Sequence, residues 1–204
     1  MAESEFAGAT DGRSEYVEPG AGFGNSVFVS YPKPYTRAQM AFIRGLSASL
    51  KGRGFFPRTL GVTDYDTDAP LRAVRRLMFE SHGLIAVAFK RIFVESGTGN
   101  FRADLSKIEE FPLRGVWLST PWVHIEPAMA YQLGLPTLIV REKGVLADGI
   151  LEKGVTGLYA PEFDVDGDPT AYLKSTEWNQ ILTRWEYQVR TVIDRKGSPP
   201  RLYD

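Results

Sequence analysis

The sequence predicts an α/β fold in which a five-stranded parallel sheet carries helices on both faces. Short apolar runs of strand length alternate five times with segments of helical periodicity, the pattern of a parallel sheet that is covered on both sides. The chain has 204 residues and is 43% hydrophobic. This is enough for one domain with a substantial core, and too short for two full domains.

Each predicted strand is followed by a helical segment. The first unit starts at Ser26 with SVFVSY and continues into TRAQMAFIRGLSASLKGRG, whose apolar residues recur at helical spacing. The second unit joins FFPRTLGV to APLRAVRRLMFESHG, where Pro70 suits a first helical turn. LIAVAF is the third strand, TLIV with the helix VLADGILEKG is the fourth unit, and TGLYA with TEWNQILTRWEYQVRTVIDR is the fifth.

The termini are predicted to lie outside this domain. Residues 1–25 are rich in Gly, Ala, Ser and acids without hydrophobic periodicity, which predicts a flexible N-terminal arm. The domain then spans residues 26–195, and residues 196–204 form a C-terminal tail. We expect a cytoplasmic protein, because the N-terminus has no apolar run typical of a signal peptide and no later stretch has the length of a membrane span.

Composition argues against several classes of partner. Lysine and arginine total 24 against 25 acids, so there is no basic excess for binding nucleic acid, and no membrane contact is expected. The chain lacks cysteine, and its two histidines, His82 and His124, are far apart in sequence. We therefore expect no metal site.

The carboxyl ends of parallel strands meet at one edge of a sheet, where open α/β folds bind ligands. About thirty residues separate Phe89 from Trp122, far more than the usual two to six, and such long connections are usually functional. We expect this connection to wall a pocket. The residues predicted to meet there are Ser30, Tyr31, Asp64, Tyr65, Arg91, Trp122 and Glu126.

The chemistry left to this edge is that of one carboxylate beside aromatic side chains. GAGFGN precedes the first strand, whereas a dinucleotide fingerprint follows one, and no serine lies in a nucleophile elbow. A single carboxylate can stabilise or capture the oxocarbenium cation formed when an N-glycosidic bond breaks. Arg91 could meet a pyrophosphate through its fork of donors, and Asp64 could equally cap the helix that starts near Pro70.

Two motifs resemble those of TIR domains. VFVSYPKPYT is similar to their opening strand and loop, and WVHIE is similar to the W-x-x-x-E signature of the NAD-cleaving TIR enzymes. The resemblance covers residues 26–195 and implies a flavodoxin-like sheet of order 2-1-3-4-5. It implies Glu126 as the catalytic residue, Trp122 as its partner on the helix, and Ser30 and Tyr31 lining the pocket.

The same resemblance implies an activity. NAD+ would be the substrate, with no further cofactor, and nicotinamide would be released by hydrolysis or cyclisation. Such an enzyme would serve in bacterial nucleotide signalling or antiphage defence, active as a homo-oligomer and triggered by an activating nucleotide or a partner protein.

Other interpretations remain open. IEPAMAYQLGLPTLIV also resembles the nucleoside 2-deoxyribosyltransferases, whose nucleophilic glutamate opens a similar helix. A TIR-like scaffold without catalysis is a third interpretation. Glu126 could simply favour a helix dipole, and Trp122 could belong to the core. Because proline is tolerated in the first helical turn, Pro127 predicts that Glu126 lies at the very start of its helix.

Overall fold

The computed structural model describes residues 25–195 and confirms the α/β fold. Apart from Asn25, the predicted N-terminal arm and C-terminal tail lie outside these residues. The strands and helices are β1 (Ser26–Ser30), α1 (Arg37–Gly52), β2 (Phe56–Arg58), α2 (Pro70–Phe79), β3 (Leu84–Ala88), β4 (Ile92–Gly99), β5 (Phe111–Leu118), α3 (Trp122–Gln132), β6 (Thr137–Glu142), β7 (Glu162–Phe163) and α4 (Thr176–Asp194). Among them, no helix combines the length and the apolar character that crossing a membrane requires.

Five strands form one parallel sheet in the order β2-β1-β3-β6-β7. This is the flavodoxin-like order 2-1-3-4-5 that the TIR resemblance implied. Because all five strands run the same way, their carboxyl ends lie at one edge. Ser30 ends β1, Ala88 ends β3 and Glu142 ends β6 at this edge.

The two faces of the sheet have separate hydrophobic cores. Val27 and Val29 of β1 belong to the core beneath α1 and α4, whereas Phe28 belongs to the core beneath α2 and α3. This alternation follows from the two-residue period of a strand. At the amino edge, the indole of Trp185 on α4 donates a 3.0 Å hydrogen bond to the carbonyl of Pro136.

Two predicted elements differ from the structure. TGLYA was predicted as the fifth strand, but Leu158 and Tyr159 are largely exposed, and the strand is Glu162–Phe163, which pairs with the end of β6. VLADGILEKG was predicted as a helix but forms only a short 3₁₀ turn, Gly149–Leu151. Gly149, which starts this turn, and Gly154 have φ angles of +52° and +96°, so a continuous α-helix cannot run through either residue.

The long connection between β3 and α3 is a β-hairpin. Strands β4 and β5 pair antiparallel with each other and with no strand of the main sheet. At its base, the amide of Arg91 donates to the carbonyl of Leu118 over 2.9 Å, and Trp117 packs against the cluster that contains Val145. The hairpin tip carries exposed apolar side chains such as Phe101 and Leu105.

Candidate active site

Helix α3 presents Trp122 and Glu126 on one face. The helix begins at Trp122 with Pro121 as its N-cap, and the first turn is closed by the carbonyl of Pro121, which accepts from the amides of His124 and Ile125. A spacing of four residues brings two side chains to the same side of a helix. Both residues accordingly line one cleft.

The prediction that Glu126 lies at the very start of this helix is wrong. Glu126 is the fifth helical residue, and Pro127 lies inside the helix as the sixth. A proline at this point has no N–H for the carbonyl four residues earlier, that of Val123. The second turn therefore lacks one hydrogen bond, and Glu126 is too far along the helix to act mainly on the dipole of the first turn.

The cleft opens at the carboxyl edge of the sheet and has a volume of about 360 Å³, within the range of small-molecule sites. Its walls come from the loops after β1 and β2, the start of α2, the two ends of the hairpin connection and α3. The lining residues are Tyr31, Pro32, Lys33, Leu60, Pro70, Val74, Arg91, Thr120, Trp122 and Glu126.

Glu126 is the buried carboxylate of this cleft, with 9% of its surface exposed. Its Oε2 accepts a hydrogen bond from the hydroxyl of Ser30, which is itself buried at the end of β1. Burial raises the pKa of Glu126 to about 7, and the hydrogen bond from Ser30 acts in the opposite direction. Near neutral pH this carboxyl group therefore interconverts between its acid and its carboxylate form.

Aromatic and cationic groups line the same cleft as this carboxylate. The Trp122 side chain is 39% exposed and lines the cleft, so an aromatic surface is available to a ligand. Burial raises the pKa of the Tyr31 phenol, and a hydrogen bond with Thr59 acts in the opposite direction. Because the net shift is upward, the phenol is neutral at physiological pH. Lys33 and Arg91 also line the cleft.

The Arg91 guanidinium is held beside the loop after β1. Its Nη1 donates to the carbonyl of Lys33 over 3.3 Å, and its Cζ lies 5.6 Å from the centre of the Tyr35 ring. Lys33 and Arg91 therefore lie on two segments of chain that contact each other.

Two predicted site residues lie elsewhere. Asp64 forms an ion pair with the buried guanidinium of Arg58 and accepts a 2.7 Å hydrogen bond from Thr63. Asp64 does not cap α2 either, since the N-cap is Ala69 without a side-chain hydrogen bond. Tyr65 is 79% exposed, and neither Asp64 nor Tyr65 lines the cleft. A ligand role for these two residues stays a prediction.

The structure also separates His124 from the cleft. Its Nε2 lies 3.7 Å from a carboxylate oxygen of Asp148, and the ring does not line the cleft. Within residues 25–195, no three His, Asp or Glu side chains are grouped to hold a metal ion.

Some cleft residues were missed from the sequence. Lys33 lies in the loop after the first strand, and its position there was a sufficient signal. Leu60 and Thr120 carry no distinguishing pattern, because an aliphatic residue and a hydroxyl residue in loops occur throughout the chain.

No protein-family model matches the chain, and no curated protein matches it in sequence. Among solved structures, the Clostridium botulinum CMP N-glycosidase BcmB matches with a TM-score of 0.44 and 14% identity, over 76% of this chain and 98% of that one. The TIR domains of the activated Roq1 resistosome, which directly recognizes the pathogen effector XopQ, match with a TM-score of 0.36 and 11% identity. That second match covers 86% of this chain and 81% of the other. At such scores neither likeness decides a function.

Proposed function

We propose that the chain is an enzyme that cleaves the N-glycosidic bond of NAD+ and releases nicotinamide. The observation that carries this proposal is Glu126, a buried carboxylate that lines a cleft and whose pKa is raised to about 7. Burying a carboxyl group with few partners lowers the stability of the fold, and functional sites often carry such a cost. Carboxyl groups with a perturbed pKa in a cleft are typical of catalytic sites.

The chemistry requires the ionised form of Glu126. Departure of nicotinamide leaves an oxocarbenium-like ribosyl cation, and a fixed negative charge beside that carbon stabilises it more than it stabilises the ground state. The ribosyl nicotinamide of NAD+ is itself cationic, so its arrival favours the carboxylate over the acid. The hydroxyl of Ser30 supports the same form by donating to Oε2.

The remaining lining residues suit a nucleotide. Trp122 offers a flat aromatic surface to a base. Lys33 and Arg91 bring two positive charges to the cleft, and a guanidinium fork pairs well with phosphate oxygens. A cleft of about 360 Å³ is at the lower end for small-molecule sites, which suits one mononucleotide half of NAD+ inside and the rest toward solvent.

The biological setting follows from the TIR resemblance of the sequence. The enzyme acts in bacterial nucleotide signalling or antiphage defence, in the cytoplasm, and reaches full activity when it self-associates. An activating nucleotide or a partner protein promotes this assembly. The nucleoside 2-deoxyribosyltransferase resemblance gives the alternative substrate, a deoxynucleoside, for the same glutamate.

Product analysis tests the proposed activity. Concentrated protein is incubated separately with NAD+, with CMP and with deoxynucleosides, and the products are separated by chromatography. Nicotinamide together with ADP-ribose or a cyclic product is the expected result, and the second product distinguishes hydrolysis from cyclisation. Free base from CMP or deoxynucleosides alone would assign another substrate, and no cleavage of any of them at any protein concentration would leave a scaffold.

Self-association is tested by the dependence of rate on concentration. We expect the specific activity to rise with protein concentration, because a TIR-like enzyme completes its pocket with a neighbouring copy. The rate is measured from nanomolar to micromolar protein alongside the mass in solution. A constant specific activity with a monomeric mass throughout would contradict this expectation.

A further inference from the structure

Two buried polar side chains lie next to the cleft without lining it. Gln39 on α1 is 1% exposed and Glu142 at the end of β6 is 3% exposed. They contact each other, since the amide Nε2 of Gln39 donates to Oε2 of Glu142 over 3.0 Å. Burying such polar groups costs free energy unless their hydrogen bonds are made, and both side chains make theirs to the same stretch of backbone.

Their shared partner is Lys90, the residue before Arg91. Strand β3 ends at Ala88, so the backbone of Lys90 has left the sheet. Its N–H donates to Oε2 of Glu142 over 2.9 Å, and its carbonyl accepts from Nε2 of Gln39 over 3.3 Å. Two side chains thus take the place of the neighbouring strand and fix the chain direction just before Arg91.

Gln39 also holds the facing loop. Its Oε1 accepts a 3.2 Å hydrogen bond from the amide of Tyr35. Tyr35 is the residue whose ring lies under the Arg91 guanidinium, and the same guanidinium donates to the carbonyl of Lys33. One amide side chain therefore ties together the two segments that present Lys33 and Arg91 to the cleft.

We propose that Gln39 and Glu142 are positioning residues that set the distance and orientation of Lys33 and Arg91 in the substrate cleft. This inference rests on the proposed function for the identity of the substrate. Gln39 and Glu142 would act on that substrate only through Lys33 and Arg91. Neither side chain lines the cleft. Their effect therefore falls on the binding of the phosphate-bearing part of the substrate, while the chemical step at Glu126 is preserved.

The first test separates KM from kcat with NAD+ as the substrate. Gln39→Leu removes the amide at similar size, and Glu142→Leu removes the acceptor for Lys90. Each is expected to raise KM about tenfold or more, since small misplacements of positioning groups have large effects, and to change kcat less than about twofold. Glu142→Gln keeps an oxygen for both hydrogen bonds and is expected to restore the wild-type KM to within about twofold.

Arg91→Ala serves as the reference for the second test. Because Gln39 positions Arg91 together with Lys33, the double variant Gln39→Leu/Arg91→Ala is expected to raise KM by less than the product of the two single effects, since the two changes share an interaction. Multiplied effects, or an unchanged KM in Gln39→Leu, would overturn the proposal. Gln39→Asn keeps an amide one methylene shorter and carries the same expectation if Gln39→Leu does not fold.

Trp185→Phe is the matched control. It removes a buried side-chain hydrogen bond at the amino edge of the sheet, so it lowers stability without touching the cleft or its walls. Its KM is expected to equal that of the wild type. A KM rise in Trp185→Phe as large as that in Gln39→Leu would show that lost stability, and not positioning, explains both.

Amide hydrogen exchange decides the case in which the protein cleaves no NAD+ at all. That result would overturn the proposed function and leave the positioning contacts to be judged separately. Exchange in residues 33–36 and 89–92 is expected to accelerate together in Gln39→Leu or Gln39→Asn and to stay unchanged in Trp185→Phe. Unchanged exchange in these segments would overturn the positioning role as well.

Discussion

Two glutamates are buried at the carboxyl edge of the same sheet, and they differ in how well they are paired. Glu142 accepts hydrogen bonds from the Lys90 amide and from Gln39, and the Lys90 ammonium lies 3.7 Å away. Glu126 has one hydrogen bond in the described part of the chain, from Ser30. Glu142 lies outside the cleft, whereas Glu126 lines it.

This difference distinguishes a carboxylate that holds backbone in place from the carboxylate for which we propose a catalytic role. A buried charge that collects several donors orders the backbone around it, as Glu142 does for the chain before Arg91. Glu126 accepts one hydrogen bond and faces a cleft, so the fold stabilises its negative charge only weakly. Burial therefore raises its pKa to about 7. The same substitution at the two positions should therefore have opposite consequences.

The largest expected effect is on turnover. Glu126→Gln keeps the shape of the side chain but removes the charge that the oxocarbenium-like transition state needs, so we expect kcat for NAD+ to fall roughly 10²-fold or more. KM should change much less. Glu142→Gln is the matched control and should keep kcat within about twofold. Equal kcat values for both variants, or an active Glu126→Gln, would remove the contrast.

The second effect is on stability and its dependence on pH. The pKa of Glu126 rises from its ordinary 4.5 to about 7 in the folded protein, so between these values the folded state keeps a proton that the unfolded state releases. Stability that this group contributes is then complete below pH 4.5 and is lost as the pH rises toward 7. Relative to Glu126→Gln, the wild type should lose about 3 kcal/mol between pH 4 and pH 8.

Denaturant unfolding of wild type, Glu126→Gln and Glu142→Gln at pH 4, 6 and 8 measures this difference. Glu126→Gln should become the most stable of the three at pH 8, because glutamine carries no charge that burial would penalise. Glu142→Gln should be less stable than the wild type at that pH, because it loses the attraction of Lys90. A constant gap between wild type and Glu126→Gln across the pH range would show that Glu126 ionises freely in the folded state.

Sequence patterns were sufficient for one of these glutamates and not for the other. The WVHIE resemblance singled out Glu126, although its place in the second turn of the helix differs from the predicted helix start. Glu142 ends an apolar strand run, where an acid usually faces solvent. Its partners are the side chain of Gln39 and the backbone of Lys90, distant in sequence, and no local pattern indicates them.

The same limit explains which parts of the fold could be predicted. Local apolar patterns were sufficient to predict part of the fold, because these segments bury apolar side chains in the sheet or against it. The elements predicted in this way are β1, β2, β3, β6, α1, α2 and α4. The long connection was expected to wall the pocket, but only Arg91 and Thr120 at its ends line the cleft. Pairing of β4 with β5 joins residues such as Phe93 and Trp117, and exposed strands of this kind lack a clear alternation.

The smallest expected effect concerns Ser30, which donates the one hydrogen bond that Glu126 accepts within the described residues. Ser30→Ala removes the hydroxyl that favours the carboxylate, so the pKa of Glu126 should rise further, by roughly one unit for the loss of one hydrogen bond to a charged group. If the carboxylate is the active form, the acidic limb of the kcat/KM profile lies near pH 7 in the wild type and moves to higher pH in Ser30→Ala. Rates well above this limb should stay close to those of the wild type, because the carboxylate is then fully formed in both proteins.

Ser30→Thr keeps a hydroxyl and should leave the limb near its original position. A pH-independent loss of activity in Ser30→Ala would instead assign Ser30 to substrate contact, and an unmoved limb would mean that the group titrating near pH 7 is not Glu126.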